Sequence, residues 1–188
     1  MPQDPKASAN RFGDGYHGPW PVTGYRVFDG SDVRKMTRDK TTPELLAAAA
    51  RFHGHLGPWL VLGLKAGGYA RKKLAASPFE LSARVFCPAD TPYTCFVDGV
   101  QFSSGCTMGK GNISHHRAEG CRVEFTRTED GSRHKDTKAR RGSRAGLRLT
   151  LRPGVWDELH SGPDEGMAGA ARLGREFARR PLEELFRI

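Results

Sequence analysis

An α+β fold, with helices packed on one face of a small mixed β-sheet, is what this sequence predicts. Three observations lead there. Two helix-forming stretches stand close together, at 42–53 and 58–76. A strand-like stretch at 79–87 and a short helix at 91–105 follow. Three further strand-like segments then come at 112–118, 121–129 and 145–153. The order helix, helix, strand, helix, three strands suits helices layered over one sheet rather than an alternating βαβ array.

Each element has its own warrant. Thr42-Pro43-Glu44 reads as a helix start: a hydroxyl cap, proline in the first turn and an acid beside the positive end of the helix dipole. "ELLAAAARF" continues it with strong helix formers. "HGHLGP" interrupts, and Pro58 begins a second helix with apolar residues at 60, 61, 64, 69 and 74 along one side. Gly63, Gly67 and Gly68 weaken that helix by up to about 1 kcal/mol each relative to alanine, which predicts a backbone passing close by. "FELSARVFC" alternates as a strand, and "NISHHRA" and "CRVEFTRTE" read as paired strands joined by a tight Glu119-Gly120 turn. "AGLRLTLRP" alternates cleanly as a further strand, and "PDEGMAGAARLGREFARRPLEELFRI" supplies a small-residue helix and a tail broken at Pro181. The chain divides into an irregular, aromatic-bearing arm (1–40), an α+β domain (41–152) and a C-terminal helical extension (153–188).

Composition excludes several classes. The longest clean apolar run, "WLVLGL" at 59–64, falls far short of the roughly 18 residues of a membrane span. "MPQDPKASANRFGDG" lacks the apolar centre of a signal peptide, so a cytoplasmic location is expected. The net charge of +9 permits contact with polyanions. Between Arg133 and Arg152 eight basic residues face the single acid Asp136. No aromatic interleaves there, which speaks against a single-strand nucleic-acid platform and favours a solvated face, so nucleic acid is not the expected partner. The four cysteines at 87, 95, 106 and 121 form no Cys-x-x-Cys pair, which argues against a zinc knuckle.

Three motifs carry chemistry. "GCTMGKGN" (105–112) is not a nucleotide loop: only three residues separate Gly105 from Gly109, and Gly111 follows Lys110 where a hydroxyl would be required. What remains is a sharp turn around Cys106, with Lys110 near enough to favour its thiolate. In "FHGHLGP", His53 and His55 converge only if Gly54 breaks the helix between them. In "CFVDGVQ", Cys95 and Asp98 share one helical face. Thiolate with imidazole favours Zn, Fe, Ni or Cu over Mg or Ca.

Together "FHGHLGPWLVLGLKAG", C-x-x-D-G-V-Q and "GCTMGKGN" resemble the FmdE-like family, named for a component of formylmethanofuran dehydrogenase, over residues 43–152. The resemblance implies an α+β domain, often dimeric, with a transition metal near these motifs: zinc first, iron or nickel next. It implies His53, His55, Cys95 and Cys106 as the metal neighbourhood, with Lys110 and Asp98 beside it. Many members read His-x-x-x-Cys-Pro where this chain has Gly57 before Pro58, and many append a cysteine-rich tail, whereas residues 153–188 contain no cysteine. The function so implied is a cytoplasmic metal-binding domain, accessory or related to molybdenum or tungsten oxidoreductases. The alternatives are a stand-alone metal-dependent enzyme and a basic module that docks nucleic acid or another anionic partner through 133–152. A homodimer is expected from the glycine-lined helix and the aromatic arm.

Overall fold

The computed structural model describes residues 41–74, 79–127, 146–161 and 166–188. The aromatic arm and most of the basic run at 133–152 lie outside those residues. Helix α1 (Pro43–His53) starts as its sequence dictates: Thr42 is extended, and its Oγ1 accepts from the Leu45 N–H at 3.2 Å. It stops at Gly54, whose φ of 97° lies in the left-handed region and whose N–H bonds Ala50 O at 2.8 Å.

Helix α2 (Pro58–Leu74) is not amphipathic in the expected way. Trp59 through Leu64 are buried without interruption, together with Ala66, Gly67 and Ala70. The reason is its central position, packed against both the sheet and the helix α3 (Cys95–Ser104). The two helices meet through small residues. A Cβ on Gly63 would lie 2.8 Å from Val100 N, one on Gly67 2.9 Å from Ser104 N, and one on Gly99 2.8 Å from Leu64 N. Gly63 and Gly67 thus do meet a backbone, and it is that of the same chain. Gly68 meets nothing within 4 Å. The glycines of α2 therefore lend no support to a second protomer.

Five strands among the described residues complete the fold: β1 (Leu81–Cys87), β2 (Ile113–Arg117), β3 (Arg122–Arg127), β4 (Gly146–Leu151) and β5 (Phe186–Arg187). Their spatial order is β2-β1-β3-β4-β5, with β1 and β2 parallel and every other pair antiparallel. The expected pairing of 112–118 with 121–129 is therefore corrected: β1 lies between them. Every second residue of β1, from Leu81 through Ala83 and Val85 to Cys87, is buried, so this strand belongs in the sheet's interior. β2 buries only Ile113 deeply and takes an edge. The Ala118–Cys121 link crosses the end of β1, where the Ala118 N–H bonds Cys87 O at 3.1 Å and Gly120 turns at φ 70°.

The C-terminal region holds helices α4 (Pro153–Ser161), α5 (Gly166–Arg179) and α6 (Leu182–Leu185). The strand expected to reach 153 gives way to α4 at Pro153, a first-turn proline. α5 places Phe177, and β5 places Phe186, in the same core as Val85, Phe96 and Phe125. No described helix is long and apolar enough to cross a membrane.

Candidate metal centre

The site is built where α1 ends and α3 begins. Because Gly54 turns left-handed, His53 and His55 do not diverge as helical i, i+2 residues would; their ring centroids lie 4.6 Å apart. Cys95, the first residue of α3, comes up beside them. One ligand atom from each of His53, His55 and Cys95 lies within 4.8 Å of the other two, the cluster of this kind among the described residues.

A carboxylate orders it. His53 Nδ1 lies 2.7 Å from Asp98 Oδ2, one turn along α3 from Cys95. A carboxylate accepts only, so Nδ1 carries a proton, and in the neutral ring Nε2 keeps its lone pair. That Nε2 is buried and has no hydrogen-bond partner. Asp98 is held in turn: the Gln101 side-chain amide donates to Oδ1 at 3.2 Å, and Gln101 Oε1 accepts from the Met108 N–H at 3.0 Å. Gln101 went unassigned in the sequence, although its i, i+3 spacing from Asp98 was the signal.

The electrostatics favour the neutral forms of His55 and Cys95. Burial, then the neighbouring His53, holds His55 below the usual imidazole range, so the ring is kept neutral. Burial and the Asp98 charge push the Cys95 thiol up, against a backbone N–H that lowers it. A bound cation would reverse that balance and favour the thiolate.

Cys106 is not in that cluster. It is fully buried, and its Sγ donates to Leu81 O at 3.3 Å. Burial raises its thiol more than Ser104, Lys110 and Arg71 lower it, so it is not the activated thiolate that its loop suggested. Lys110 is placed with it: its ammonium donates to Gly105 O at the C-cap of α3 and lies 5.4 Å from the Phe79 ring centre. The rest of "GCTMGKGN" binds its own chain. Asn112 accepts from the Thr107 N–H at 2.9 Å and donates to Leu81 O at 2.9 Å. The loop is a clasp joining α3 to the start of β1. Cys87 lies 3.3 Å from His115 Nε2, with its thiol pushed up to about 11 by burial. All four cysteines are free.

Gly57 does face the site. A Cβ built there would stand 3.4 Å from His55 Nε2, an ordinary contact, in a backbone conformation open to other residues.

A family model described as "FmdE, Molybdenum formylmethanofuran dehydrogenase operon" matches residues 52–186. The chain belongs to the FmdE family. The match starts one residue before His53 and runs through all of the C-terminal helices. Over 76 residues this FmdE-family chain is also 34% identical to an Archaeoglobus fulgidus protein named a probable S-adenosyl-L-methionine-binding protein. The stretch is 37% of this chain, and it spans only 19% of that relative's length.

Proposed function

We propose that this FmdE-family protein binds one transition-metal ion, zinc by preference, through His53, His55 and Cys95, with Asp98 holding His53 in the ligating tautomer. The observation that carries the reading is the buried Nε2 of His53, which lacks a hydrogen-bond partner while Nδ1 is committed to Asp98. An unpaired buried imidazole nitrogen costs about 1–3 kcal/mol, which a metal bond would recover. The donor set of two nitrogens and one sulfur suits zinc, with iron or nickel as weaker matches. In the cell the protein serves as an accessory of a molybdenum or tungsten oxidoreductase, as the operon in the family description suggests. The free cysteines suit a cytoplasmic, reducing compartment.

Three protein ligands rather than four favour a second reading, a metal-dependent enzyme in its own right, because a tetrahedral ion so held keeps a position for water or substrate. The metal would supply Lewis acidity there; the chain supplies the ligands and the carboxylate that orients one of them.

Elemental analysis of zinc-reconstituted, dialysed protein tests the metal site. About one zinc per wild-type chain is expected, with His53→Ala and Cys95→Ser falling below about a tenth of that and Cys106→Ser unchanged. Zinc retained by Cys95→Ser, or lost by Cys106→Ser, contradicts the assignment.

A further inference from the structure

The helices cover one face of the sheet, and the other face has a composition of its own. Cross-strand register places Arg84, Glu124 and Arg148 in one row. The next row crosses the five strands as His116, Phe86, Arg122, Thr150 and Arg187. Ser82, Ser114 and Thr126 fill the remaining outward positions. Among the described residues, the face therefore carries four arginines against one carboxylate, Glu124.

That carboxylate does not neutralise them. It lies 3.0 Å from Arg148, 3.5 Å from Arg84 and 3.8 Å from Arg122, one negative charge shared among three guanidiniums. The Arg84 and Arg148 side chains are still 57% and 69% exposed. Phe86 is 9% exposed because it lies within a stack: the Arg122 guanidinium sits 3.8 Å from its ring centre, Arg84 5.1 Å, and the His116 ring stacks at 4.9 Å with 21° between planes.

We propose that this open sheet face binds single-stranded nucleic acid. Its features answer the two demands of such a ligand. Within each row the arginines stand two strands apart, about 10 Å, a reach that meets phosphates along a strand, and the neighbouring hydroxyls supply further bonds to phosphate and sugar. Flat guanidinium and imidazole planes, already stacked on Phe86, offer surfaces on which unpaired bases stack. The basic run at 133–152 lacks aromatic groups, whereas this face offers the His116 ring and the guanidinium planes that cover Phe86. Two other occupants fit less well. A second copy of the chain would set one arginine face against another in a symmetric contact. A membrane would want an apolar group to insert, and Phe86 is covered.

The test is fluorescence anisotropy with the full chain and a labelled oligouridylate or oligothymidylate of about 20 nucleotides, from about 50 to 200 mM salt. Wild type is expected to bind saturably, with log K falling against log[salt] at a slope of about −2 to −3, for three or four phosphate contacts at about −0.7 each. Arg84→Gln with Arg148→Gln, both exposed positions, is expected to weaken binding about tenfold or more and to flatten the slope by about 1.4. Glu124→Gln is expected to tighten it. Thermal melts and zinc content show whether each variant is folded. Absence of saturable binding, or equal binding by the double variant, overturns the proposal. So does arginine-dependent capture by phosphatidylserine vesicles or by a polyglutamate peptide while the oligonucleotides stay free, since the face would then serve another class of partner.

Discussion

Asp98 and His53 are separated by 45 residues in sequence, yet their 2.7 Å contact sets which imidazole nitrogen is left to ligate. Asp98→Asn keeps the shape and removes the charge. Zinc affinity should fall about 10- to 100-fold, read by competition with a chromophoric chelator, while the melting temperature of the metal-free protein changes little. Gly57→Cys makes the opposite test. A thiol placed beside His55 adds a soft donor, so zinc affinity should rise; no gain with an unchanged melting temperature would mean that position 57 does not reach the ion. Acid sensitivity follows from His55. Its folded pKa is held below the unfolded one, so the unfolded chain takes up the proton first as pH falls through about 6.5, and the metal-free fold loses stability there. His55→Asn should reduce that loss between urea melts at about pH 7.5 and about pH 5.5. At this scale the convergence of His53, His55, Cys95 and Asp98 was legible in the sequence, because glycine position and helical spacing are local facts. The placement of the Cys106 side chain was not. The direction of a side chain at the end of a glycine loop depends on β1, 25 residues earlier, whose Leu81 carbonyl takes its S–H.

The α2–α3 crossing fixes where Cys95 and Asp98 stand, since both belong to α3. Gly99 lies between them and Gln101 on that helix, and its Cβ position is 2.9 Å from Gly63 Cα. Gly99→Ala should force the helices apart and destabilise the protein by about 1–3 kcal/mol or more, with zinc affinity falling as Cys95 shifts. Gly68→Ala, with nothing within 4 Å, should instead gain up to about 1 kcal/mol from helix propensity. Chemical denaturation of the two variants separates close packing from mere glycine content, and a destabilised Gly68→Ala would contradict the distinction. The sequence made the close approach legible at Gly63 and Gly67, but it could not name the partner, because glycine marks proximity and not identity. The same limit explains the strand order. Alternation marks strands, and a short Glu119-Gly120 link suggested a hairpin. Which strand lies inside the sheet depended on burial on the helix-facing side of β1, visible only once the helices were in place.

Over the whole molecule, the two proposed roles stand apart, metal binding at the start of α3 and nucleic-acid binding on the open face of the sheet. The layered order of helices and strands was readable from periodicity. The arginine rows were not, because Arg84, Arg122, Arg148 and Arg187 are scattered over four strands and share a face only through register. The central claim, a metal bound by two imidazoles and one thiolate, has a direct test. X-ray absorption at the zinc edge of the reconstituted protein should fit one sulfur at about 2.3 Å and two imidazole nitrogens at about 2.0–2.1 Å, with the sulfur shell absent in Cys95→Ser and intact in Cys106→Ser. Two sulfurs in the wild-type shell, or a sulfur that disappears with Cys106 instead of Cys95, would contradict the account.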